Sequence, residues 1–83
     1  MPYFVYILEC KDGSLYTGIT TDVERRLQEH QEGKGARYTR AKKAVRILFS
    51  ERHPNRSSAQ AREASIKKMK RRAKWSLIDK KES

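Results

Sequence analysis

The sequence predicts an α/β fold: a three-stranded antiparallel sheet flanked by helices, in the order β-β-α-β-α-α. Three observations predict it. Two β-rich runs, "YFVYILEC" (residues 3–10) and "LYTGIT" (residues 15–20), are separated only by "KDGS"; a helix-capping pattern comes after the second run; and one further alternating run precedes two helical segments.

The first run is β-branched and aromatic, with apolar residues on both alternating faces. That composition suits a strand covered on two sides, so this strand is expected at the sheet centre. Asp-Gly in the middle of "KDGS" joins it to the second strand as a hairpin. Thr21 is expected to open the first helix, because "TDVE" is a capping-box pattern in which the Thr21 hydroxyl accepts from the Glu24 backbone N–H while the Glu24 side chain reaches back. Val23 and Leu27 supply its apolar stripe and Gly33 its stop.

"GKGARYTRAKK" is glycine-flecked, basic and without a sustained period, and reads as a loop with room for one short helical turn. In "AVRILFSE" the alternation predicts a half-buried third strand, with Val45, Ile47 and Phe49 inward and Arg46 and Ser50 outward. "PNRSSAQARE" turns the chain, and Ser57 or Ser58 is expected to cap a second helix running to about residue 70. Its buried side carries Ala59, Ile66 and Met69. "RAKWSLIDKK" is expected to form a last short helix whose Trp75, Leu77 and Ile78 dock on the sheet.

Composition bounds the function. A chain of 83 residues allows one domain with a modest core. The single cysteine, Cys10, cannot form an internal disulfide, which implies a reducing, cytoplasmic setting. The first apolar run lacks a preceding basic stretch and a small-residue cleavage site, and no run approaches the roughly twenty apolar residues that span a bilayer, so a soluble, untargeted protein is expected. Twenty Lys and Arg against ten Asp and Glu give a net charge of +10, with the excess spread from residue 25 onward. That balance favours a polyanionic partner, of which nucleic acid is the commonest; ribosome-associated proteins, RNA chaperones and membrane-surface proteins share it.

Few side chains in this pattern suit chemistry. Arg26 and His30 are four apart and share one face of the first helix, next to the Val23 and Leu27 stripe, near the helix margin. A solvated polar face is the ordinary meaning of such a pair. Glu63 lies at the border of the buried side of the second helix, four after Ala59 and three before Ile66. A carboxylate there needs a partner, either a neighbouring Lys or Arg or a metal ion. No Cys and His cluster, P-loop or dinucleotide fingerprint is present to suggest zinc, nucleoside triphosphates or NAD.

"FVY" (residues 4–6) and "YTG" (residues 16–18) resemble the two namesake motifs of the GIY-YIG nuclease superfamily, with Tyr6 and Tyr16 ten apart. "ERRLQEH" supplies an arginine and then a histidine on the first helix, and "AREASIKK" a glutamate on a later one. The resemblance covers residues 3 to about 78 and is nearest to the small single-domain bacterial members, the UPF0213 group. "GKGARYTR" is also similar to a segment of the catalytic subunits of structure-specific endonucleases. Phe4 stands where the first motif has glycine, Thr17 where the second often has an aliphatic residue, and Ile19 where some members have lysine.

The resemblance implies phosphodiester hydrolysis assisted by a single divalent cation, Mg²⁺ or Mn²⁺, held by Glu63. Tyr16 would take a proton from the attacking water or position it, Tyr6 would orient it or its partners, and His30 is the alternative proton acceptor. Arg26 would stabilise charge on the phosphoryl oxygens. Gly18 would let backbone approach the substrate or the first helix closely. Arg37, Arg40, Lys42 and Lys43, with Tyr38 as a stacking ring, are candidates for contacts to DNA, or less readily RNA, as is the run Lys67, Lys68, Lys70, Arg71, Arg72 and Lys74. Two functions compete: an endonuclease acting on branched or repair intermediates of DNA, and a nucleic-acid-binding module with little cleavage. A partner protein for substrate targeting is a third element the resemblance leaves open.

Overall fold

The computed structural model describes residues 1–35 and 37–82, without the side chains of residues 38–40, 81 and 82. Strands β1 (Tyr3–Cys10) and β2 (Leu15–Thr20) are followed by helices α1 (Val23–Gln31) and α2 (Arg37–Lys42), strand β3 (Ala44–His53) and helices α3 (Arg56–Lys67) and α4 (Arg71–Glu82). The sheet order is β2-β1-β3, and both pairings are antiparallel.

The central place of β1 stems from its composition. Val5, Ile7 and Leu8 are wholly buried, with Tyr6 1% exposed. Val5 and Ile7 join Phe49, Ala59, Ile66 and Ile78 in a core on the α3 and α4 side, where Trp75 and Leu77 also pack. Tyr6, Leu8 and Ala44 form a second core with Tyr16, Val23, Leu27 and Ile47, on the side that α1 covers. Each fully buried aliphatic side chain stabilises the fold by roughly 1.5–3 kcal/mol relative to exposure.

Three local expectations need correction. Asp22, not Thr21, caps α1: its Oδ1 accepts from the Arg25 N–H at 3.0 Å, and Thr20 Oγ1 accepts from the Asp22 N–H at 3.1 Å. A carboxylate side chain at this position also lies at the positive end of the helix dipole. Asn55, not Ser57 or Ser58, caps α3, its Oδ1 accepting from the Ser58 N–H at 2.9 Å. Val45 does not point inward; it is 47% exposed. The pairing of β3 with β1 slips twice, so that Ile7 and Leu8 face Phe49 and Ile47, and Glu9 and Cys10 face Arg46 and Ala44. Each slip is a bulge that skips one residue, Leu48 and Val45, and reverses the facing of the strand beyond it. Ile47 and Phe49 consequently pack in different cores.

Ser58 is freed from capping and meets His53 instead. Its Oγ lies 2.7 Å from His53 Nδ1, while His53 Nε2 is 2.7 Å from Glu51 Oε1 and Arg62 Nε is 3.1 Å from that same oxygen. Burial opposes ionisation of Glu51, but the His53 and Arg62 hydrogen bonds outweigh it and hold the carboxyl below its ordinary range. This network ties the start of α3 to the end of β3.

Thr17 presents the opposite situation. It is 3% exposed, and among the described residues its Oγ1 has no hydrogen-bond partner. A buried hydroxyl without a partner costs stability. Thr17→Val is therefore expected to stabilise the protein by about 1 kcal/mol and raise its melting temperature by several degrees; a lower melting temperature would mean that the hydroxyl is satisfied.

Candidate active site

Strand alternation points Tyr6 to the α1 side, and its ladder partner on β2 is Gly18. The pairing depends on the missing side chain. A Cβ at Gly18 would lie 2.6 Å from Tyr6 Oη, 2.8 Å from its Cζ and 3.2 Å from Tyr16 Cε2. Tyr16, two residues earlier on β2, faces the same side, and the two rings sit 6.4 Å apart between centroids.

His30 completes the cluster from the last turn of α1. It is 1% exposed, with Nε2 3.0 Å from Tyr6 Oη and its ring edge-on to Tyr16 at 5.2 Å. This is a correction, since the helix pattern places His30 at the margin. Backbone closes over it: Gly35 lies so tightly against the imidazole that a Cβ there would collide with Nδ1. Arg26, one turn earlier on α1, is 32% exposed, and its Nη1 donates to Glu29 Oε1 at 3.0 Å.

Charge and burial assign different states to these groups. Burial pushes the Tyr6 phenol up to about 12, an effect that the neighbouring Arg26 opposes and the charges of Tyr16 and Glu63 reinforce. Burial, and then the Arg26 charge, lower the pKa of His30. A protonated phenol thus donates to a neutral imidazole at Nε2, which leaves the His30 proton on Nδ1. Burial also works against the Arg26 cation, but its hydrogen bonds to Glu29 and Tyr6 prevail and raise its pKa. Tyr16 is the half-exposed phenol of the pair.

Glu63 approaches from α3. Its side chain is 21% exposed, lies near enough to Tyr6 to influence its ionisation, and pairs with Lys67 Nζ at 3.1 Å. Among the described residues no three of His, Cys, Asp and Glu gather into a ligand set. One hard carboxylate oxygen in a half-open position fits Mg²⁺ or Mn²⁺, which keep several waters and need only one or two protein ligands; it does not fit a closed zinc site.

Tyr6, Tyr16, Arg26 and His30 are therefore brought together, and Glu63 on α3 lies near enough to act on Tyr6 through its charge. The proposed nucleic-acid contacts are dispersed. Arg37 is exposed on α2, Lys42 pairs with Asp12 at 2.8 Å and Lys67 pairs with Glu63. The side chains of Tyr38 and Arg40 lie outside the described residues. Two contributors escape the sequence reading. Glu29 was visible only as an acid three residues after Arg26, and Gly35 only as one glycine of a flexible-looking stretch.

The profile of the GIY-YIG catalytic domain matches residues 2–76. A UPF0213 protein of Streptococcus sanguinis is 55% identical over 75 residues, covering 90% of this chain and 86% of the relative. The solution NMR structure of a UPF0213 protein from Bacillus halodurans is similar, with 47% identity, a TM-score of 0.61 and coverage of 95% of this chain and 84% of that one. So is the solution NMR structure of a protein from E. faecalis, with 38% identity, a TM-score of 0.64 and coverage of 100% and 90%.

Two measurements check this geometry. Gly18→Ala is expected to force Tyr6 and β2 apart and to cost about 1–3 kcal/mol, read as a lower urea midpoint; an unchanged midpoint would show that the strand has room to spare. For His30 the unfolded chain binds a proton near the ordinary value of 6.5 and the folded chain only at lower pH. In that interval the unfolded state holds more protons, so stability declines as pH falls below about 6.5. His30→Gln should flatten this part of the profile; curves that stay parallel would rule His30 out as its cause.

Proposed function

The chain belongs to the GIY-YIG catalytic-domain family, a nuclease family, and from that premise we propose that it is a metal-dependent endonuclease hydrolysing phosphodiester bonds in DNA, with branched or repair intermediates as substrates. The convergence of two phenols and an imidazole beneath α1, with a guanidinium beside Tyr6 and a carboxylate close enough to influence it, is the observation that carries this reading.

Each residue then has a distinct role. Tyr16, the phenol nearer to solvent, holds the attacking water and directs it at phosphorus. The proton that water loses passes to solvent on this open side, and the leaving oxygen takes one up from solvent as its bond to phosphorus breaks. Tyr6 stays protonated and acts as a donor that orients the site. His30, shut away from water, does not serve as the direct base; it accepts the Tyr6 hydrogen bond and fixes the phenol's direction. Arg26 is permanently charged and forked, and it stabilises the negative charge that grows on the phosphoryl oxygens. Glu63 would hold the divalent cation, which when bound supplies positive charge beside the scissile phosphate. Lys67 neutralises that carboxylate when no cation is present.

The test is cleavage of a panel of duplex, flap, branched and single-stranded DNA and RNA with Mg²⁺ or Mn²⁺. Wild type is expected to cut at least one DNA member. Glu63→Gln, Arg26→Ala and Tyr16→Phe should each lower the rate by about 10²–10³ while leaving binding within a few-fold. Tight binding without cleavage anywhere in the panel would favour the nucleic-acid-binding module instead.

A further inference from the structure

A second basic feature lies at the far end of the hairpin. The β1–β2 turn and the α2–β3 junction enclose an open cleft of about 510 Å³ lined by Lys11, Asp12, Ala41, Lys42 and Lys43. Its two walls are joined through backbone. The Lys11 N–H donates to the carbonyl oxygens of Lys42 at 3.2 Å and Lys43 at 2.9 Å. Lys43 is held at φ +59, a left-handed conformation that a non-glycine residue keeps only when its surroundings impose it.

The charges of the cleft are arranged unequally. Asp12 accepts from the Ser14 N–H at 3.0 Å, from Ser14 Oγ at 2.6 Å and from Lys42 Nζ at 2.8 Å. Lys42 is therefore committed to this carboxylate. Lys11 and Lys43 are exposed, and among the described residues neither has an acidic partner. Arg71 reaches the same turn from α4, its Nη2 donating to the Gly13 carbonyl at 2.7 Å. Three ammonium groups around one carboxylate repel a cation and attract an anion. Point charges on flexible stems suit phosphate oxygens and read no bases.

We propose that this cleft is a second phosphate subsite, in which Lys11 and Lys43 hold a nucleic-acid backbone phosphate several nucleotides from the bond at Tyr6 and so set the register of the strand. The subsite rests on the nuclease reading and extends it. Lys11 is five residues along the chain from Tyr6, about 17 Å at ~3.4 Å per residue. That span corresponds to about five base steps of one duplex strand. Helix α2 packs on α1, the helix that covers Tyr6, and ends at Lys42, next to Lys43. The Asp12–Lys42 pair subtracts one cation from the cleft, which limits its affinity.

The experiment is a salt titration of binding, monitored by fluorescence anisotropy of labelled duplex and single-stranded DNA in the presence of a chelator, from about 50 to 200 mM salt. Losing two phosphate contacts in Lys11→Gln/Lys43→Asn should make the slope of log K against log salt shallower by about 1.4–1.8. Asn is chosen at residue 43 because it tolerates the left-handed backbone. Asp12→Asn keeps an acceptor for Ser14 and removes the one carboxylate that opposes a phosphate in the cleft, so affinity should rise and the slope steepen. Asp79→Asn, exposed on α4, raises net charge by the same amount and should leave the slope unchanged. A double variant with the wild-type slope, or Asp12 and Asp79 variants that behave alike, would overturn the subsite while the nuclease reading stands on cleavage. Wild type that binds neither probe would overturn both.

Discussion

The hydrogen bond between Tyr6 and His30 is the constraint on which the arrangement rests. One partner lies at the centre of the middle strand and the other at the end of the helix that crosses it, so their contact fixes α1 against the sheet. The bond is buried, where a polar contact is stronger than in water and losing it costs more. Two absences of bulk and one of charge make it fit: no side chain on Gly18, none on Gly35, and no charge on the imidazole. Tyr16 and Arg26 take their positions from the same two elements.

The site is graded from a neutral interior to a charged edge. His30 and Tyr6 are uncharged and enclosed, Tyr16 is half-exposed, and Arg26 and Glu63 keep part of their charged surfaces in water. Two intramolecular carboxylate pairs, Arg26 with Glu29 and Glu63 with Lys67, moderate the charges that would face a phosphate. Neither pair is deeply buried, so each is weak enough to be exchanged for a substrate or an ion.

Much of the fold was legible in the sequence because its strongest signals are local. Residues 3–10 and 15–20 form strands with the expected bounds, since β-branched and aromatic runs flanking Asp-Gly admit few other structures. Helix starts were harder. Thr20, Thr21 and Asp22 are all competent caps, as are Asn55, Ser57 and Ser58, and the outcome depends on where the preceding strand ends. Facing along β3 was read correctly for Phe49 and wrongly for Val45, because alternation carries no mark of a bulge. Spacing revealed that Arg26 and His30 share a face, but the depth of His30 depends on Gly35, which belongs to another segment. The pairing of Asp12 with Lys42, thirty residues apart, exists only in the folded chain.

The two slips in β3 have a further effect. In a sheet of three strands two are necessarily edges, and an edge with a regular row of free amides and carbonyls is a template for joining other copies. Here the skipped residues, Leu48 and Val45, interrupt that row, and Gln31 Nε2 already donates to the Val45 carbonyl at 3.3 Å. The irregularity that spoils the alternation thus makes β3 a poorer template for a further strand than a regular edge would be.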